Sequence, residues 1–155
     1  MASIGFDHKQ FFFDRQVVIA AVGRVNAQKL SRAGSFVRRS ARSSLRRRKR
    51  ASAPGEPPSV HSQDRVATLK NIWFVFDAQS RSVVVGPLKL GGSTLAGSNR
   101  PTVPALHELG GVAVVGKRGR RSRAKRATYP PRPFMGPAME REMPKFAGLW
   151  ANSVR

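Results

Sequence analysis

The chain contains no cysteine. Disulfides, thiolate metal sites and cysteine catalysis are therefore excluded. Acids are scarce, with eight Asp plus Glu against 29 Lys plus Arg. They are scattered along the chain, and only Glu140 and Glu142 approach a paired spacing. Two positions apart on a helix, those two point to different faces. A metal-dependent nuclease needs carboxylates to hold its ions, and this chain has few to spare. The three histidines, His8, His61 and His107, lack metal-ligand spacing. No glycine-rich phosphate loop with a following Lys-Ser or Lys-Thr occurs, and neither does a zinc-finger or RNA-binding signature. The expectation is a protein that is not an enzyme, with no catalytic residue, cofactor or bound metal. Long hydrophobic runs are missing too. None approaches the ~18–20 residues that span a bilayer. The apolar patch within Met1 to Asp14 is too short, and wrongly flanked, for a signal peptide. These absences predict a soluble chain made in a cytoplasm, with no membrane partner.

What the chain has in excess is positive charge, a net +21 in 155 residues. Arginine outnumbers lysine. So much like charge repels in a compact state unless a polyanion or an acidic surface faces it. It concentrates in two blocks, Arg38–Arg50 and Lys117–Arg126. Aromatics are not interleaved with either block, which argues against a stacking platform for single strands. Hydrophobic residues make up 40%, enough for one modest core at this length.

Residues 1–13 read as an N-terminal tail, with Phe11-Phe12-Phe13 able to staple it to the body or to a neighbouring subunit. Residues 14–155 read as one domain. Asp14 can cap a helix and suits the positive end of its dipole. Val18, Val22, Val25, Leu30, Ala33, Val37, Ala41 and Leu45 then form an apolar stripe at three- and four-residue steps. Gly23 and Gly34 weaken it, Gly34 as a candidate kink or break. Arg38, Arg39, Arg42, Arg46, Arg47 and Arg48 take the other positions of its last turns. Pro54, Pro57 and Pro58 make the next segment an exposed loop. Asn71–Phe76 and Ser82–Val85 alternate like strands and flank a short polar turn, which predicts a hairpin. Ile72, Phe74 and Phe76 share one of its faces, and Trp73 and Val75 the other, with Trp73 half-buried. Ala105–Leu109 reads as a helical turn stopped by Gly110-Gly111. Within it Glu108 is expected to pair with a basic neighbour. Val112–Val115 is a further strand, and Ala127–Tyr129 a short returning one. A last helix starts near Pro137, capped by Gly136, and Pro144 should kink or divide it. Phe134 and Met135 stand just before it as a hydrophobic plug.

Three stretches, taken in order, carry a resemblance. They are Pro54-Gly55-Glu56-Pro57-Pro58 with His61, Leu106-His107-Glu108-Leu109-Gly110-Gly111, and Arg132-Pro133-Phe134-Met135-Gly136-Pro137-Ala138. An arginine-rich helix precedes them. This order resembles the tail-completion, or head–tail joining, proteins of long-tailed bacteriophages, over roughly Phe12 to Trp150. That family expects a continuous last helix, and Pro144 departs from it.

The resemblance implies a structural virion protein of the phage neck, assembled in the host cytoplasm, that completes the tail or joins it to the DNA-filled head. Its partners would be other copies of itself in a ring of six or a multiple, together with the tail terminator, the head-completion or stopper protein and the tail tube. Packaged DNA is a further candidate partner. The expected fold is α+β: a long N-terminal helix and a C-terminal helix packed on a small, mostly antiparallel sheet. Long basic loops would lie at about 47–66, 90–104 and 116–128. Arg38, Arg39, Arg42, Arg46, Arg47, Arg48, Lys117, Arg118, Arg120 and Arg121 are the candidates for an anionic surface or DNA. Pro54, Gly55, Pro57, Pro58, Arg132, Phe134 and Met135 are the candidate subunit contacts or loop anchors. Composition alone fits a second class equally well, a basic nucleic-acid-binding structural protein of ribosomal or nucleoid type.

Overall fold

The computed structural model describes residues 14–91, 101–115, 125–151 and 153. The Phe11-Phe12-Phe13 staple and the arginines and lysine at Lys117, Arg118, Arg120 and Arg121 lie outside the described residues.

Helix α1 runs from Arg15 to Ser44 without a break. Asp14 caps it as expected, its Oδ1 accepting the amides of Gln16 at 3.0 Å and Val17 at 3.2 Å. Thirty residues make a rod about 45 Å long, well beyond the radius of a body this size. The consequence is visible in burial. Ala33, Val37 and Ala41 are buried, and so is Leu45 at the cap. Val18 and Val22, earlier in the same predicted stripe, are 40% and 47% exposed. The stripe is thus core only in its C-terminal half.

Two expectations for this helix need correction. Gly34 does not break it. It sits where α1 crosses a hairpin, and a Cβ there would lie 2.8 Å from Val83 Cγ2 and 3.2 Å from Phe74. Glycine lets the helix approach the strands closely. Arg46, Arg47 and Arg48 are not on the last turns, because α1 stops at Ser44 and Leu45 leaves helical geometry. Leu45 is drawn into the core at the point where the chain turns away.

The hairpin is β1 (Ile72–Asp77) and β2 (Ser82–Pro87), antiparallel with Asp77 opposite Ser82. Asp77 builds the turn, its Oδ1 accepting the Gln79 amide and its Oδ2 the Ser80 hydroxyl. Arg81 completes it in the left-handed region at φ 50°. Ile72 is buried and Phe74 and Phe76 partly so, facing α1, while Trp73 and Val75 point outward as the alternation predicts. Trp73 is more open than expected, 58% exposed.

Helix α2 (Val103–Leu109) is longer than the single turn predicted, with Thr102 as its cap. Gly110 ends it at φ 72°. A second ribbon comes next, β3 (Gly111–Val115) paired antiparallel with β4 (Lys125–Tyr129). β4 takes up the end of the predicted 116–128 loop. The strands of this α+β fold are antiparallel throughout, in two separate two-stranded sheets.

Helix α3 (Met135–Glu142) packs along α1 with Ala138 and Glu142 buried. Pro144 does what its missing amide dictates. A short 3₁₀ turn, Met143–Lys145, separates α3 from α4 (Phe146–Trp150). The Trp150 indole donates to Asn26 Oδ1 at 3.3 Å, which ties α4 to the middle of α1.

Candidate functional site

The three stretches that carry the resemblance lie far apart in sequence, and they meet at one junction. Phe134 is its centre, 1% exposed and packed in the core with Leu45, Ile72 and Val60. It is the anchor its position before the last helix predicts. Helix α3 begins at Met135, earlier than expected, so Phe134 rather than Gly136 takes the cap position. A phenyl ring cannot accept a hydrogen bond, and the first amides of a helix need an acceptor. Glu108 supplies it. Its Oε2 accepts the amides of Phe134 at 2.9 Å and Met135 at 3.1 Å, and its Oε1 accepts that of Gly136 at 2.7 Å. The expected pairing of Glu108 with a basic side chain is therefore replaced by helix capping. A carboxylate at this end is also favoured by the helix dipole.

Arg132 binds the second stretch to the first. Its amide donates to the His107 carbonyl at 2.6 Å, and its Nε donates to the Ser52 carbonyl at 3.0 Å. The Gly55 amide donates to the Pro131 carbonyl at 2.9 Å. Gly55 has φ 83°, which suits the glycine of a Pro-Gly turn. The segment after α1 is thus irregular and largely exposed, as predicted, with a few residues turned inward. Pro54 and Gly55 are exposed, Pro57 is half-buried, and Ser52, Pro58 and Val60 are buried. Val60 donates to the Arg46 carbonyl, and the Arg48 amide donates to Ser59 Oγ, which closes the loop on itself.

The candidate arginines divide into two sets. Arg38 and Arg48 are structural. Arg38 Nε donates to the Ile72 carbonyl at 2.7 Å, and its guanidinium lies over the Trp73 ring at 5.8 Å. Arg48 pairs with Glu56 at 2.6 Å across the loop. Arg39, Arg42, Arg46 and Arg47 are exposed. Arg39 lies against Phe36 at 6.0 Å, and Arg46 makes a long local contact to the Ser43 carbonyl. No described acid pairs with any of these four. They form an exposed cationic group on the last turns of α1 and the residues just after it.

Two clefts flank the junction. One, of about 290 Å³, is mainly apolar and opens between Pro87, Pro104 and Met135. The other, of about 220 Å³, lies between the loop after α1, the end of α2 and Arg132. His107 lines the second. Burial, then the charge of Arg132, holds its imidazole below the ordinary value of 6.5. Sequence reasoning missed the capping role of Glu108 and the second cleft. The only local signal was the adjacency of His107 and Glu108, which puts their side chains on different faces of α2. Among the described residues no cluster of His, Asp or Glu could hold a metal ion, and no helix is long and apolar enough to cross a membrane. No family model, curated protein or solved structure matches the chain.

Proposed function

We propose that this chain is a structural virion protein of a phage neck, which completes the tail or joins it to the filled head as one member of an oligomeric ring. The observation that carries this is the junction. The residues behind the neck resemblance (Pro-Gly-Glu-Pro-Pro, His-Glu-Leu-Gly-Gly and Arg-Pro-Phe) are joined by backbone and side-chain hydrogen bonds at one place. Such a junction holds the loop after α1, helix α2 and the start of α3 together, which suits a subunit that presents fixed surfaces to its neighbours.

The open apolar surfaces support assembly. Residues 15–20 of α1 are all exposed, although they include Val17, Val18 and Ile19. On the hairpin, Trp73, Val75 and Val84 are exposed together, Val75 directly opposite Val84. Apolar surfaces at two separate places suit the heterologous contacts that close a ring. The exposed arginines would face DNA or an acidic neighbouring protein. The test is electron microscopy of particles from a phage lacking this gene. Filled heads and finished tails lying unjoined, or tails of uncontrolled length, are expected. Normal joined virions would refute the proposal.

Arg39, Arg42, Arg46 and Arg47, unpaired among the described residues, also favour a second reading, a nucleic-acid-binding structural protein. Affinity for DNA would then fall steeply with salt, with a slope set by the phosphates contacted.

A further inference from the structure

The cleft beside Arg132 has an unusual lining. Lys49, Arg50 and Arg132 bring three permanent cations to it, and His61 and His107 two imidazoles. Among the described residues no carboxylate lines it. The two acids nearest in sequence are committed elsewhere, Glu56 to Arg48 and Glu108 to the amides that open α3. Cations gathered in a concavity without a counter-ion raise the local concentration of anions.

The lining is also held in place. The Arg132 guanidinium is fixed through Nε to the Ser52 carbonyl, and its backbone is fixed to His107. His61 Nε2 lies 2.9 Å from Ser59 Oγ, and that hydroxyl also accepts the Arg48 amide. Lys49, Arg50 and His61 come from the loop, His107 from α2, and Arg132 from the strand-to-helix connection. The lining therefore comes from three parts of the fold. A carboxylate offers its two oxygens in one plane, whereas a tetrahedral oxyanion offers them in several directions. The volume of about 220 Å³ holds such an anion together with some water.

We propose that this cleft is a phosphate-binding site, formed by Lys49, Arg50, His61, His107 and Arg132. This goes beyond the neck reading and does not depend on it. The phosphate belongs either to a nucleic-acid backbone or to free inorganic phosphate, since the same donors serve both. His107 is the natural reporter. The charged and titratable groups that line the cleft with it are Arg132, Lys49, Arg50 and His61, while the carboxylate of neighbouring Glu108 is turned to α3. Burial, then the charge of Arg132, holds the His107 imidazole below its ordinary value, and a bound anion opposes the second of these, so binding raises its pKa.

The experiment is a histidine-resolved NMR titration of the full chain at constant ionic strength, with inorganic phosphate in one arm and a short DNA duplex in the other. Sodium chloride is the control. Saturable shifts of His61 and His107 with phosphate, and none with chloride, are expected. Lys49→Gln and His61→Gln lie on the exposed loop and should each weaken binding about tenfold. Arg24→Gln, the same loss of charge at a distant exposed position, should leave it unchanged. Shifts in the duplex arm that match those with phosphate would assign the site to nucleic acid. Shifts with inorganic phosphate alone would assign it to the free ion. The proposal is overturned if neither probe moves His107 more than chloride does, or if the two cleft variants bind as the native chain does.

Discussion

The carboxylate of Glu108 caps the helix that begins after Phe134, and its shortest contact is 2.7 Å to the amide of Gly136, 28 positions away. Helix α3 has no capping side chain of its own. Two elements, α2 and α3, are thereby held at one angle by one side chain. Glu108→Ala leaves three amides without that acceptor and should cost about 1–3 kcal/mol of stability. Glu108→Gln should cost less, because one oxygen remains. Urea unfolding of both variants checks this, and an unchanged midpoint for Glu108→Ala would show that the cap contributes nothing.

Three glycines should respond to alanine in different ways. At Gly23 nothing lies within 4 Å, so the helix gains up to about 1 kcal/mol. At Gly34 the new methyl meets Val83 and Phe74, and overpacking of about 1–3 kcal/mol outweighs that gain. At Gly110 the φ of 72° is unfavourable for alanine, and the Cβ would sit 3.0 Å from the Pro131 nitrogen and the Tyr129 oxygen. Backbone cannot yield as a side chain can, so this variant should lose the most, above about 2 kcal/mol. Thermal melts of the three variants give the order directly.

Arg38 and Arg42 test whether the arginines of α1 are alike. Arg38 holds the Ile72 carbonyl and covers Trp73, and Arg38→Ala should cost about 1–2 kcal/mol and alter tryptophan fluorescence. Arg42 is exposed, and Arg42→Ala should stay within about 0.5 kcal/mol. Equal effects would contradict the division of these residues into structural and exposed sets.

Stability should fall with acid in two stages. His107 titrates below 6.5 in the folded chain, because of burial and Arg132. The unfolded chain therefore takes up this proton first as pH falls, and stability drops from about 6.5 downward. Glu142 is held below its ordinary 4.5, chiefly by its bond to Lys145. Its contribution is present above 4.5 and is lost as pH falls through its lower folded value. His107→Gln should remove the first stage and Glu142→Gln should reduce the second, read as melting temperature against pH in phosphate-free buffer.

If the exposed start of α1 is an assembly surface, Val18→Lys with Val22→Lys should leave the monomer folded and abolish higher oligomers. Circular dichroism would follow the fold and analytical ultracentrifugation the assembly. Oligomers that survive both charges would place the subunit contact elsewhere.

The features legible in the sequence are those set within a few residues. Asp14 caps α1 because its side chain reaches the next amides, the hairpin arises from alternation around a polar turn, and Pro144 interrupts the last helix because it has no amide to give. Phe134 was legible as an anchor from its place before Pro137. The features that were not legible depend on what lies across the fold. The same periodicity describes Val18 and Val37, yet only Val37 meets a partner, because periodicity carries no information on how far the body extends along a helix. The acceptor for α3 comes from Glu108, a whole ribbon away, and the cationic cleft exists only because Arg132 draws the loop of Ser52 against α2. Local chemistry determined the elements and their ends. Tertiary structure decided which charges are paired, which are left facing one another, and which apolar residues remain uncovered, since burial and electrostatics act between residues that the chain itself keeps far apart.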